Sequence, residues 1–129
     1  MTMNMKEQGE FFFPYKLPKA GWVPVEHVSE WQEWRDAVLW CWEHRPHPSR
    51  RRNGDQSTFR HFCEKVYGLT VHAPHVSRWL NADTNAPMDL PPGFVAAFEA
   101  FTGWHGLTQF FNRKAGKTCL EEMQARMAA

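Results

Sequence analysis

Between Pro24 and Pro46 the chain carries neither proline nor glycine, and inside that interval Val28, Trp31, Trp34, Ala37, Val38, Cys41 and Trp42 recur at three- and four-residue steps. Such spacing brings apolar side chains to one face of an α-helix, leaving Glu26, Glu30, Glu33, Arg35 and Asp36 outside the stripe. The spacing predicts one amphipathic helix from Val25 to about His44. Its indoles, with Trp40, read as core rather than as the lining of a pocket for a flat ligand.

Prolines and glycines divide the rest of the chain into further helices. Asp55 or Ser57 can cap a second helix in which Phe59, Phe62, Cys63, Val66 and Tyr67 keep helical spacing until Gly68 stops it. After the turn from Leu69 to His72, Pro74 fits the first position of a third helix ending near Leu80. Asn81 to Asp89 is polar; Pro91 and Pro92 then open a fourth helix through about Phe101, closed by Gly103. Trp104 to Ala115 forms a fifth, ending at Gly116, and the Ala-, Glu-, Met- and Arg-rich tail from Lys117 to Ala129 suits a last helix that frays. No internal repeat and no two-residue alternation of a strand stands out. The expected fold is all-α: a small bundle of about five helices over residues 25–116, with a tail over 117–129.

Residues 1–24 read differently. Pro14, Pro18, Gly21 and Pro24 fall too close together for a regular helix, so this is an extended arm. Phe11, Phe12, Phe13, Tyr15 and Trp22 make it apolar enough that its rings are expected to pack on the helical body or on a partner.

Seven Trp and ten Phe in 129 residues exclude a disordered chain. The net charge of +1 gives no global attraction to nucleic acid or anionic membrane, so any electrostatic role is local. Cys41, Cys63 and Cys119 are odd in number and widely spaced, which fits free thiols in a reducing cytosol. No run approaches the roughly 18 apolar residues of a membrane span, and the expected compartment is the cytoplasm.

The passage from Phe59 to Asn81 carries the functional signal, because it reads as helix, glycine turn, helix. Val76, Trp79 and Leu80 lie at i, i+3 and i+4 and form a buried stripe, which leaves His75, Ser77, Arg78 and Asn81 toward solvent. Those four are the candidate base contacts: arginine can bond guanine O6 and N7 in bidentate fashion, and serine or histidine can reach base edges near a helix N-terminus. Thr70 and His72 in the turn are candidate phosphate contacts. The loop residues Arg50, Arg51 and Arg52 add a sequence-independent element, since neutralised phosphates release counterions.

The run Val76, Ser77, Arg78, Trp79, Leu80, Asn81 after a glycine turn resembles the recognition helix of the lambda-repressor-like (Cro-like) helix-turn-helix family. The continuation from Leu90 to Gly103, followed by Trp104 to Gly116, looks like the helical tail of phage-encoded regulators in that family. The likeness covers about residues 55–116. It implies a sequence-specific transcriptional regulator in a bacterial host, binding duplex DNA as a homodimer on half-sites one DNA turn apart.

Other chemistries find less support. His72 and His75 stand three apart, but no Cys-x-x-Cys or His-Glu-x-x-His accompanies them, so no metal site is expected. Neither a positioned nucleophile and base nor a phosphate-cradling glycine loop is legible, so neither an enzyme nor a bound cofactor is expected. The competing readings are a protein-interaction module docking through Phe11 to Trp22, and an architectural or transposition accessory protein that binds DNA without controlling a promoter.

Overall fold

The computed structural model describes residues 19–46, 48, 49 and 54–128, the side chains of 117–119 excepted. Among these the chain forms α1 (Val25–Val28), α2 (Trp34–Glu43), α3 (Gly54–Tyr67), α4 (Ala73–Leu80), a short 3₁₀ turn (Pro92–Phe94), α5 (Val95–Thr102) and α6 (Gly106–Ala128), with no strand. The protein is all-α, a small bundle.

The single helix expected from Val25 to His44 is broken at residues 29–33. Asp36 causes the break: its Oδ2 accepts the backbone N–H groups of Gln32 and Glu33, both at 3.0 Å, and satisfies donors that a new helix start would leave orphaned. The other side of the break is held from far away, where Arg113 of α6 donates to the Val28 carbonyl at 2.9 Å. Freed from a continuous helix, Trp31 turns into the core at 8% exposure.

The core draws Ala37, Val38, Cys41 and Trp42 from α2, Phe59, Phe62 and Cys63 from α3, Phe98 from α5 and Leu107 from α6. At its centre Trp42 stacks on Phe98 and Phe101, with centroids 6.2 and 5.9 Å away, and Phe59 meets Phe98 edge-on at 5.8 Å. Each such ring buried contributes about 1.5–3 kcal/mol by area alone. Of the tryptophans expected on one helix, Trp31 and Trp42 are buried, while Trp34 and Trp40 are partly covered.

Gly103 closes α5 as expected, in the left-handed conformation with φ 79°. The next helix starts at Gly106, two residues later than expected, because Trp104 is drawn into an extended bridge with Gly21. Its first turn is capped by a neighbour: the buried Glu99 carboxylate accepts the Thr108 N–H at 2.8 Å and its hydroxyl at 2.9 Å. At the far end α6 does not stop at Gly116. That glycine has no heavy atom within 4 Å of a built Cβ, and a mid-helix glycine costs only about 1 kcal/mol. Good helix formers on both sides outweigh that cost.

The described part of the arm is tied down by its backbone. Gly21 donates to the Gly103 carbonyl at 2.8 Å and accepts from the His105 N–H at 2.9 Å, and Val23 exchanges two 2.9 Å bonds with the Gln109 amide. Val23 is buried, whereas Trp22 remains 67% exposed with its ring 4.7 Å from that of His105. Phe11, Phe12, Phe13 and Tyr15 lie outside the described residues.

Burial pushes the Cys41 thiol up to about 12, helped by the Glu99 carboxylate, and the Cys63 thiol likewise to about 12, helped by Glu64. In the unfolded chain both ionise near the ordinary value of 9.0. Above that pH the unfolded state binds fewer protons than the folded one, so stability falls as pH rises from 9 toward 12. Peptide mapping after alkylation at pH 9 is expected to find Cys41 and Cys63 unmodified in the folded protein and fully modified in denaturant. Rapid native labelling of either thiol contradicts its burial.

Candidate nucleic-acid interface

The candidate interface comprises α3, the turn Gly68 to His72, and α4. Gly68 adopts φ 66°, a left-handed conformation that costs a side-chain-bearing residue more than glycine. The following Leu69 N–H closes on the Cys63 carbonyl at 3.0 Å. Buried Val71 pins the middle of the turn to the core. His72 then caps α4 in an extended conformation with Pro74 in the first turn, so the helix opens at Ala73, one residue earlier than expected.

The stripe read from spacing is the buried one: Val76, Trp79 and Leu80 are 1%, 2% and 3% exposed. Trp79 Nε1 is buried without a hydrogen-bond partner among the described residues. By contrast Trp34 Nε1 donates to the Leu90 carbonyl at 2.9 Å and joins α2 to the loop before the 3₁₀ turn.

The C-terminal end of α4 is held by a residue that spacing alone left on the surface. Arg35 of α2 donates to the carbonyls of Arg78 at 3.0 Å, Trp79 at 3.4 Å, Asn81 at 2.7 Å and Met88 at 3.2 Å. A guanidinium across the last carbonyls of a helix satisfies orphan acceptors and complements the negative end of its dipole. Arg35 was visible in the sequence as the one cation on an otherwise acidic flank of α2; its partners, more than forty residues away, were not.

The four candidate base-contacting side chains do not share one situation. Arg78 is exposed, with a guanidinium nitrogen 3.8 Å from Met88 Sδ. His75 is half-buried, its ring 5.8 Å from that of exposed His72. Ser77 and Asn81 are occupied with each other: buried Gln56 of α3 donates to Asn81 Oδ1 at 2.6 Å, and Asn81 Nδ2 donates to Ser77 Oγ at 2.7 Å. Asn81 therefore bolts the end of α4 to α3.

Thr70 is exposed in the turn. Arg50, Arg51 and Arg52 lie outside the described residues, but the base of their loop is defined. Asp55, in the first turn of α3, accepts from Arg45 Nε and from the Ser49 N–H, both at 2.8 Å. Arg60 of α3, which the spacing argument passed over, reaches the groove between α3 and α4. Among the described residues no group of three or more His, Cys, Asp or Glu lies close enough to hold a metal ion, and no helix is long and apolar enough to cross a membrane.

No protein-family model matches this chain, and searches of curated proteins and of solved structures find no match either.

Proposed function

We propose that this protein binds double-stranded DNA with sequence specificity, laying α4 in the major groove as a regulator of the lambda-repressor-like type encoded by a phage or prophage. The observation that carries the reading is the state of α4. Its apolar stripe is buried, its C-terminal end is clamped by Arg35 and Gln56, and Arg78 stands exposed on that anchored helix. A reader helix needs that combination, since a bidentate arginine discriminates bases only when its backbone is fixed. Backbone contacts from Thr70, His72 and the Arg50 to Arg52 loop would supply the salt-dependent part of affinity. With a net charge of +1 and one short reader helix, a homodimer on two half-sites supplies the remainder.

The test is selection of the full chain against random-sequence duplexes at about 50 and 200 mM salt. The expected result is a motif of two half-sites about one helical turn apart, with affinity falling at the higher salt. Retention of every sequence alike refutes specific readout, and retention of none at the lower salt refutes DNA binding.

The exposure of Trp22 at 67% and of Val25 at 75% favours one second reading, a protein-interaction module docking through the arm. Failure to bind duplex, together with loss of a protein partner on Trp22→Ala, would select it.

A further inference from the structure

Between α3 and α4 runs a groove of about 330 Å³, walled by Gln56, Ser57 and Arg60 on one side and by Pro74, Val76 and Ser77 on the other. Among the described residues no carboxylate lines it. Arg60 has no hydrogen-bond or ion-pair partner among the described residues, Glu64 one turn along included. Glu64 lines a neighbouring hollow on α3, whose wall Ser57 and Arg60 share.

The polarity of the amide chain decides what Ser77 offers. Gln56 donates to Asn81, and Asn81 donates to Ser77 Oγ. Because that oxygen already accepts a hydrogen bond on its inner side, its own proton is free to turn outward and donate. Ser57, exposed on the opposite wall, brings a second hydroxyl. The lining is mostly apolar, from Ala73, Pro74 and Val76, and among it stand one guanidinium and two hydroxyl donors, the set that complements a tetrahedral oxyanion.

We propose that this groove is a phosphate seat in which Arg60 supplies the charge and Ser57 and Ser77 donate hydrogen bonds. The inference rests on the reading of α4 as a DNA-reading helix, and it gives Ser77 a role at the backbone rather than at a base edge. A phosphate held here fixes the register of α4 on the duplex, because the seat shares a wall with the helix that carries Arg78.

The test measures affinity of the full chain for a selected and a scrambled duplex across a salt series, for wild type, Arg60→Met, Arg60→Lys and Ser77→Ala, with thermal melts to show that each variant folds. Arg60→Met is expected to lower the slope of log affinity against log salt by about one, weakening both duplexes by the same factor. Arg60→Lys keeps the slope, and Ser77→Ala weakens binding of both duplexes with the slope unchanged. A wild-type slope in Arg60→Met overturns the seat, as does a change of sequence preference in that variant. If wild type binds no duplex, the DNA reading falls, and titration with inorganic phosphate decides the seat alone. Amide shifts at Ala73 and Ser77 that vanish in Arg60→Met support it, and their absence from wild type overturns it.

Discussion

Gly106→Ala is expected to lower the melting temperature by about 10 °C or more. A Cβ built at Gly106 would stand 2.4 Å from Cys41 Sγ, 3.1 Å from Trp31 Cη2 and 3.2 Å from Val23 Cγ2. Those atoms belong to α2, to the segment between α1 and α2, and to the arm, and all three residues are buried. None is the loose end of a flexible chain, so relief requires α6 to lift from its seat. Overpacking of this kind costs about 1–3 kcal/mol at one contact, and here three are made at once, against a total stability of order 5–15 kcal/mol.

Gly116 supplies the control within the same helix. Its built Cβ meets nothing within 4 Å, so Gly116→Ala gains up to about 1 kcal/mol of helix propensity. The same substitution thus has opposite signs ten residues apart. Adding Cys41→Ala to Gly106→Ala removes the closest clashing atom and should recover part of the loss in a double-mutant cycle. A Gly106→Ala melt within a degree or two of wild type would show that α6 is not docked on Cys41.

The second large effect concerns binding. Under the proposed function, Arg78→Ala is expected to weaken a selected duplex by about 10- to 100-fold, the equivalent of roughly 1–3 kcal/mol of discrimination by one bidentate contact. Preference should relax at a single base pair of each half-site. Stability should stay near wild type, because Arg78 is exposed and Arg35 grips its carbonyl rather than its side chain. Arg78→Lys keeps the charge but not the planar fork, so specificity is lost while much of the non-specific affinity remains. Measurement against selected and scrambled duplexes checks both variants. Equal discrimination by Arg78→Ala and wild type would remove Arg78 from the readout.

Some of this was legible without coordinates. Gly68 and Gly103 end helices where the apolar periodicity stops, and both take positive φ. Val76, Trp79 and Leu80 face inward as their i, i+3, i+4 spacing requires. These are local facts, settled within one or two turns of chain. The break after Val28 was not visible because the stripe continues through it unbroken: Trp31 and Trp34 keep helical spacing in sequence while lying on either side of a new helix start. Asp36 held a clue, being able to cap residues before it, but the closing contact comes from Arg113, eighty-five residues downstream. The run of α6 through Gly116 failed for a different reason: a glycine ends a helix only where the following chain turns away, and here good helix formers follow.

In the candidate interface the division falls in the same place. The helix, glycine turn, helix unit and the outward position of Arg78 follow from periodicity and glycine stereochemistry, so the sequence by itself determined them. Three decisions belong to tertiary structure: that Arg35 caps α4, that Asn81 turns back to Gln56 and Ser77, and that Arg60 lines the groove between α3 and α4. Periodicity tells a polar side chain only that it lies off the apolar face. Whether it then meets water, a carbonyl or another helix depends on how separate helices cross, and that is set by packing between residues far apart in the chain.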